Sequence, residues 1–216
     1  MFVDRREAGK LLTAKLKEIG CQFDVILAVP RGGIVVADEI ATGFQCELDV
    51  ILARKIGSPD LPEYAVGAVT PDGEVLIHEK VRKLMNIKED KLHQLTVSVQ
   101  REINNRLNLY RNYRLPVHIR NRKVLIVDDG IATGFTMKAA IKYLRRENVS
   151  EIIMAVPVTS RAAYSSLSHE VDHLVVLLMP DEFLAVGQFY QNFAAVEDDE
   201  VIAILKKTLE YRETEL

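Results

Sequence analysis

A chain of 216 residues, 48% of them hydrophobic and spread along its length, can bury one core of ordinary size, and a single domain over residues 1–216 is the default expectation. The formal net charge of −3 gives no global attraction to nucleic acid or to an anionic membrane, and no local basic patch supplies one. The opening Met1-Phe-Val-Asp-Arg-Arg-Glu carries charges where a secretory signal needs an apolar run, and no apolar stretch is long enough to span a bilayer, so the expected compartment is the cytoplasm.

Asp4 followed by Glu7 reads as a capping box, and Ala8, Leu11, Leu12, Leu16 and Ile19 recur behind it at helical spacing. Apolar runs rich in β-branched residues then alternate with helical patterns. The runs are Val25 to Val29, Leu48 to Leu52, Val124 to Val127, Ile152 to Val156 and Leu174 to Leu178. The helices between them cover Ile34 to Thr42, Thr136 to Arg146 and Ala162 to Ser168. Strands apolar on both faces, joined by helical crossovers, predict an α/β fold: an open, mainly parallel five-stranded sheet with helices on both faces. Cys21 and Cys46 stand apart from any Cys or His at metal-ligand spacing and read as packing residues.

Two stretches interrupt the alternation, over about residues 57–114. Ala65 to Val69 and Glu74 to His78 flank Thr-Pro-Asp-Gly, which predicts a β-hairpin turning at Asp72-Gly73. From Ile87 to Tyr113, Leu92, Leu95, Val99, Ile103, Leu107 and Tyr110 form an apolar stripe on a long polar helix, as core or dimer interface requires.

The segment richest in chemistry is Val124-Leu-Ile-Val-Asp128-Asp129-Gly130-Ile-Ala-Thr133-Gly134-Phe-Thr136. It combines a buried strand, two carboxylates at its carboxyl end and a loop entering a helix, the place where open α/β sheets bind ligands. Backbone N–H groups, hydroxyls and a helix start suit a phosphate monoester. The two acids could accept from vicinal ribose hydroxyls, or end the strand with no further role, or bind Mg²⁺ as acidic pairs do in receiver domains. Receiver domains carry their acidic pair near the chain start, which argues against the last.

Hydrophobic strand, Asp-Asp, then Thr-Gly-x-Thr resembles the phosphoribosyl-diphosphate signature of type I phosphoribosyltransferases, and the resemblance extends over nearly the whole chain. Val25-Ile-Leu-Ala-Val-Pro30-Arg31-Gly32-Gly33 is similar to the family's diphosphate loop, which often carries a cis non-proline peptide. Arg31 would be its basic residue, with Arg54 and Lys55 as further diphosphate contacts. The hairpin, from roughly Gly57 to Glu79, corresponds to the mobile flap. Met179-Pro-Asp181-Glu-Phe183-Leu184-Ala-Val-Gly187-Gln-Phe-Tyr190 resembles the hood of the purine-salvage branch, at about residues 179–196, with Phe183 stacking on the base.

The resemblance implies Mg²⁺-dependent transfer of ribose 5-phosphate from phosphoribosyl diphosphate to a nitrogenous base in a homodimer, with no nucleic-acid or membrane partner. It assigns catalysis to Asp128, Asp129 and Arg31, with both acids reaching the metal directly or through water. Substrate contacts fall on Pro30, Arg31, Gly32, Gly33, Arg54, Lys55, Asp128, Asp129, Gly130, Ile131, Ala132, Thr133, Gly134, Phe135, Thr136, Phe183 and Leu184. Three departures argue against a 6-oxopurine acceptor. Ala132 stands where those enzymes carry an Asp, Thr159-Ser160-Arg161 where they carry a lysine, and Gln191 where they carry a carboxylate. An adenine-type enzyme would instead use a flap glutamate, for which Glu63, Glu74 and Glu79 are available. A sensor binding the same ligand without turnover is the alternative.

Overall fold

Asp4 caps the first helix as its spacing from Glu7 predicts, its carboxylate accepting the Glu7 backbone N–H at 2.9 Å. The structure is a computed structural model that describes residues 1–58, 65–112 and 115–208. In chain order its elements begin with α1 (Arg5–Glu18), β1 (Val25–Ala28), α2 (Gly32–Phe44) and β2 (Glu47–Val50). Next come β3 (Arg54–Gly57), β4 (Ala65–Val69), β5 (Val75–Ile77), α3 (Glu79–Leu84) and α4 (Glu89–Arg111). The chain continues through β6 (Lys123–Val127), α5 (Phe135–Arg146), β7 (Glu151–Val158), α6 (Arg161–Leu167) and β8 (His173–Leu178). A 3-10 turn (Val186–Phe189) and α7 (Asp198–Lys207) follow.

The five predicted strands form one sheet in the order β2-β1-β6-β7-β8, every pair parallel. Side chains alternate between two cores, as the period of a strand requires. Ile26, Leu48, Leu125, Val127 and Ile153 face the layer of α1, α2, α4 and α7, while Val25, Leu27, Val124, Ile126 and Ile152 face α5 and α6. Burial on both faces accounts for runs that are apolar without alternation. Along α1 the inward stripe is narrower than the sequence pattern: Leu12 and Leu16 are buried, whereas Leu11 and Ile19 remain half exposed.

The hairpin forms with β4 antiparallel to β5, but it is part of a larger unit. β3 pairs antiparallel with β4 to give a three-stranded sheet, a strand that Arg54-Lys55-Ile56-Gly57 is too short and too charged to announce. The apolar stripe on α4 belongs to the chain's own core. Leu92, Ile103 and Tyr110 are buried and Leu95, Val99 and Leu107 pack beside them. The Tyr110 hydroxyl donates to Asp198 and so ties α4 to α7, and burial together with that carboxylate pushes its pKa up. Cys21 and Cys46 are half-buried free thiols, and burial raises Cys46 to about 12. No helix among the described residues is long and apolar enough to cross a membrane.

Truncating the centre of the α4 stripe measures its part in folding. Ile103→Ala is expected to lower the unfolding free energy by about 2–5 kcal/mol, the range for a buried Ile or Leu cut to Ala. Urea denaturation checks this, and a loss below about 0.5 kcal/mol, the scale of a surface change, would mean that α4 does not dock on the sheet.

Candidate active site at the carboxyl ends of β1 and β6

Strand order decides where a ligand can sit. From β1 the chain crosses through α2 to β2 on one side, while β6 pairs with β1 on the other, so the loops leaving β1 and β6 diverge at a topological switch point. Ala28 lies opposite Val127, and the Val29 N–H donates to the Val127 carbonyl at 2.8 Å. The sequence Pro30-Arg31-Gly32-Gly33, with a cis peptide bond between Pro30 and Arg31, is thereby laid against Asp128 and Asp129. A Cβ at Gly32 would fall 1.9 Å from Asp129 Oδ2, and one at Gly33 would fall 2.9 Å from Asp128 Cα. Only glycine tolerates that approach.

Past the acids, Gly130 to Gly134 form the loop into α5, whose first residues are Phe135 and Thr136, with Gly134 at φ +74° as the N-cap. Two backbone bonds pin the loop to the end of β7: Ile131 N–H to the Val158 carbonyl and Ser160 N–H to the Ile131 carbonyl, both at 3.0 Å. A cavity of about 200 Å³ opens over it, lined by Val29, Asp128, every residue from Gly130 to Met137, and Val186 of the hood. Larger cavities of about 510 and 410 Å³ exist, beside Asp49 and Arg111 and at the amino ends of β6 to β8. Neither contains any residue of these two loops, so the smaller cavity is the one with matching chemistry.

The acidic pair is divided. Asp128 lines the cavity and Asp129 does not. Asp129 Oδ2 instead accepts from Arg5 Nε at 2.7 Å, the two side chains being 13% and 11% exposed. Arg5 Nη1 also donates to the Ala194 carbonyl at 2.8 Å, and its guanidinium lies 3.8 Å from the centre of the Phe193 ring. The Tyr190 hydroxyl donates to the Asp129 carbonyl at 2.6 Å, and the Asp129 N–H donates to Asp128 Oδ1 at 2.8 Å. Burial, and then the neighbouring Asp129 charge, push the Asp128 pKa well above the usual carboxylate range. Burial raises Asp129 as well, against the opposing pull of Arg5.

A family model described as the phosphoribosyl transferase domain matches residues 5–190. The chain belongs to the phosphoribosyl transferase family. Two Mycobacterium tuberculosis proteins, provisionally named phosphoribosyl transferases, are 35% identical to it over 207 residues. The match covers 96% of this chain and 47% of theirs, so the chain spans about half the length of these relatives. The crystal structure of TT1426 from Thermus thermophilus superposes with a TM-score of 0.81 at 38% identity, over 95% of this chain and 98% of that one. A hypothetical protein from Neisseria gonorrhoeae, solved with bound ppGpp, shares the fold at 15% identity and a TM-score of 0.52, over 94% of this chain and 92% of that one.

The remaining residues singled out from the phosphoribosyl transferase pattern are placed less uniformly. Arg31 is the N-cap residue of α2, and its Nη1 lies 3.0 Å from Glu197 Oε2. Arg54 and Lys55 sit on β3 in the three-stranded sheet, Arg54 paired with Glu102 of α4 at 2.7 Å. Phe183 is half-buried against Phe189, ring centres 5.0 Å apart, while Leu184 is 92% exposed. Glu74 is held by Lys142 and Arg146 on the far half of α5, and Glu79 accepts from Arg82 on its own helix. Glu63 lies outside the described residues. Four neighbours of the site carried no assigned role in the sequence: Val186 and Tyr190, which lie within the hood motif, and Arg5 and His78, whose ring lies 5.9 Å from that of Phe135.

The raised Asp128 pKa has a stability consequence with a definite sign. The folded chain holds this proton more tightly than the unfolded chain does, so the site is most stable below the ordinary carboxyl value of about 3.9 and loses stability as pH rises through the elevated folded value. Asp128→Asn, which keeps an acceptor for the Asp129 N–H, is therefore expected to melt higher than the parent at neutral pH. The gain should shrink toward pH ~4. Thermal melts across pH check this; a variant that melts lower at every pH would mean the buried charge is not destabilising.

Proposed function

We propose that this chain transfers the 5-phosphoribosyl group of phosphoribosyl diphosphate to a nitrogenous base. The bond from the anomeric carbon to the diphosphate oxygen breaks, diphosphate leaves with the electron pair, a carbon–nitrogen bond forms, and the nitrogen gives up its proton. The observation that carries this reading is the cavity lined by Asp128 and by the whole run from Gly130 to Thr136. A phosphate monoester would rest in that loop at the start of α5, with the ribose hydroxyls toward the acidic end of β6. Arg31, on the loop across the switch point, is the group to hold the leaving diphosphate, with Arg54 and Lys55 approaching from the flap sheet.

An oxygen-only donor set of Asp carboxylates beside a diphosphate fits Mg²⁺, which takes few protein ligands and keeps much of its water. Asp128 would hold the ion directly or through water, and when bound it supplies charge neutralisation of the diphosphate. The chain's own groups do the positioning: glycines 32 and 33 let the two loops close on each other, and the flap excludes water from the ribosyl centre. The family resemblance also implies a homodimer.

On the acceptor side, the polar groups available to read a 6-oxopurine are already engaged. Thr159 Oγ1 donates to the Ile131 carbonyl at 3.3 Å, Ser160 Oγ donates to the Ala132 carbonyl at 2.6 Å and caps α6, and Arg161 pairs with Asp181 at 2.6 Å. Adenine or a less usual nitrogen nucleophile suits such a site better than hypoxanthine or guanine.

Diphosphate release from phosphoribosyl diphosphate and Mg²⁺, measured with adenine, hypoxanthine, guanine, uracil and orotate, tests the reading. Turnover with adenine or another acceptor well above that with hypoxanthine is the expected result, and rapid turnover of hypoxanthine would overturn the acceptor assignment. Binding without turnover of any base would move the assignment to a ligand sensor. Calorimetry on Arg31→Ala adds a separate check. Affinity for phosphoribosyl diphosphate should fall by about 1.5–3 kcal/mol, the scale of a charge-assisted contact, with ribose 5-phosphate affinity unchanged. Equal losses for both ligands would make Arg31 structural.

A further inference from the structure

Adjacent carboxylates at the end of a strand are commonly counted as two ligand groups, yet this pair has only one acid facing the cavity. Asp128 lines it; the Asp129 carboxylate points into the protein toward Arg5, 2.7 Å away. That inward position is fixed from three sides. On the β1 side the carboxylate packs directly on Gly32, in space that only a glycine leaves open, since a Cβ there would meet Asp129 Oδ2 at 1.9 Å and Arg5 Nε at 2.9 Å. On the hood side the Tyr190 hydroxyl holds the Asp129 carbonyl at 2.6 Å. Arg5 itself cannot swing away freely, being bonded to the Ala194 carbonyl and stacked on Phe193.

The backbone N–H of this immobilised Asp129 is what orients Asp128, donating to its Oδ1 at 2.8 Å. One oxygen of Asp128 is thereby occupied, the two carboxyl groups also lie within hydrogen-bonding reach of each other, and Asp128 is the member of the pair that lines the cavity. We propose that Arg5 is a positioning residue that acts on the ribose through Asp129 and Asp128, and that Asp128 is the single ligand-facing acid of the pair. The inference rests on the function reading above and adds to it a residue from the first turn of α1, with Tyr190 as its partner on the hood. A buried ion pair used in this way gives orientation rather than net stability, because desolvation of the two charges offsets most of their attraction.

A structural role and a positioning role predict different ligand dependence. If Arg5 only held the fold, its loss would weaken every ligand of the loop alike. If it positions Asp128, it matters to a ligand carrying ribose hydroxyls and not to bare phosphate, which the Gly130–Thr136 loop holds by itself. The test is an NMR titration of the full chain with ribose 5-phosphate and, separately, with inorganic phosphate, for the parent, Arg5→Met, Arg5→Lys, Asp128→Asn and the double variant Arg5→Met with Asp128→Asn.

Arg5→Met should weaken ribose 5-phosphate by about tenfold, equivalent to some 1.4 kcal/mol, with little change for inorganic phosphate. Arg5→Lys should recover part of the loss. The double variant should bind ribose 5-phosphate no worse than Asp128→Asn alone, because the second change removes a group that acts only through the first. Equal loss of both ligands in Arg5→Met, or losses that add in the double variant, would overturn the proposal while leaving the function reading standing. A parent chain that binds neither ligand would overturn both. Should Arg5→Met fail to fold, Tyr190→Phe takes its place, with the same split between ligands expected and the same outcomes decisive.

Discussion

Two neighbouring carboxylates at the end of a strand buried on both faces cannot both stand ionised without a counter-charge, and much of this molecule is arranged around that constraint. The counter-charge is Arg5, which lies 124 positions earlier in the chain. Bringing it to the site requires α1 to lie with its amino end over the carboxyl ends of β1 and β6, and the segment before it to pair with the hood. Phe2 accordingly bridges to Tyr190 in parallel, with its N–H donating to the Phe189 carbonyl and its carbonyl accepting from Gln191. The stacked series Phe2, Tyr190, Phe193 and Arg5 then closes the hood over the acid end of β6.

That same constraint explains the spacing of the two loops. With the Asp129 carboxylate turned inward onto Arg5, the β1–α2 turn must pass within contact distance of it, and the pair Gly32-Gly33 is the backbone solution. Gly130 meets a comparable demand from the hood: a Cβ there would lie 2.5 Å from Val186 Cγ1 and 2.9 Å from Val158 Cγ1. The β4–β5 hairpin is held to α5 by Asp72 and Glu74 pairing with Arg146 and Lys142, and His78 beyond it lies beside Phe135 at the start of α5.

Specificity on the acceptor side follows from what is already satisfied. Hydroxyls that donate to nearby carbonyls and an arginine paired with Asp181 offer little to an incoming base, whereas the half-buried Phe183 offers an apolar face. On the proposed reading, phosphate binding and base reading are thus separate problems in this chain. The first would rest on the backbone of the Gly130–Thr136 run, which two backbone bonds at Ile131 tie to the end of β7; the second would rest on side chains near Phe183.

The sheet, its five strands, the crossover helices and the flap hairpin were legible in the sequence because each rests on local periodicity or turn chemistry that a run of ten or so residues carries by itself. The strand–loop–helix form of the candidate phosphate loop was legible for the same reason, being a strand, two acids and a Thr-Gly-x-Thr turn within thirteen consecutive residues. Short charged Arg54-Lys55-Ile56-Gly57 gave no strand signal, since β3 exists only because β4 lies beside it. Likewise nothing near Arg5 distinguishes it from Arg6, which pairs with Asp38 and Glu39 on α2. Which of two adjacent arginines meets Asp129, and so which of two adjacent aspartates is left facing the cavity, was decided by the tertiary structure alone. Charge pairing across 124 residues depends on where burial removes water from the two groups, and no local pattern in a chain encodes that.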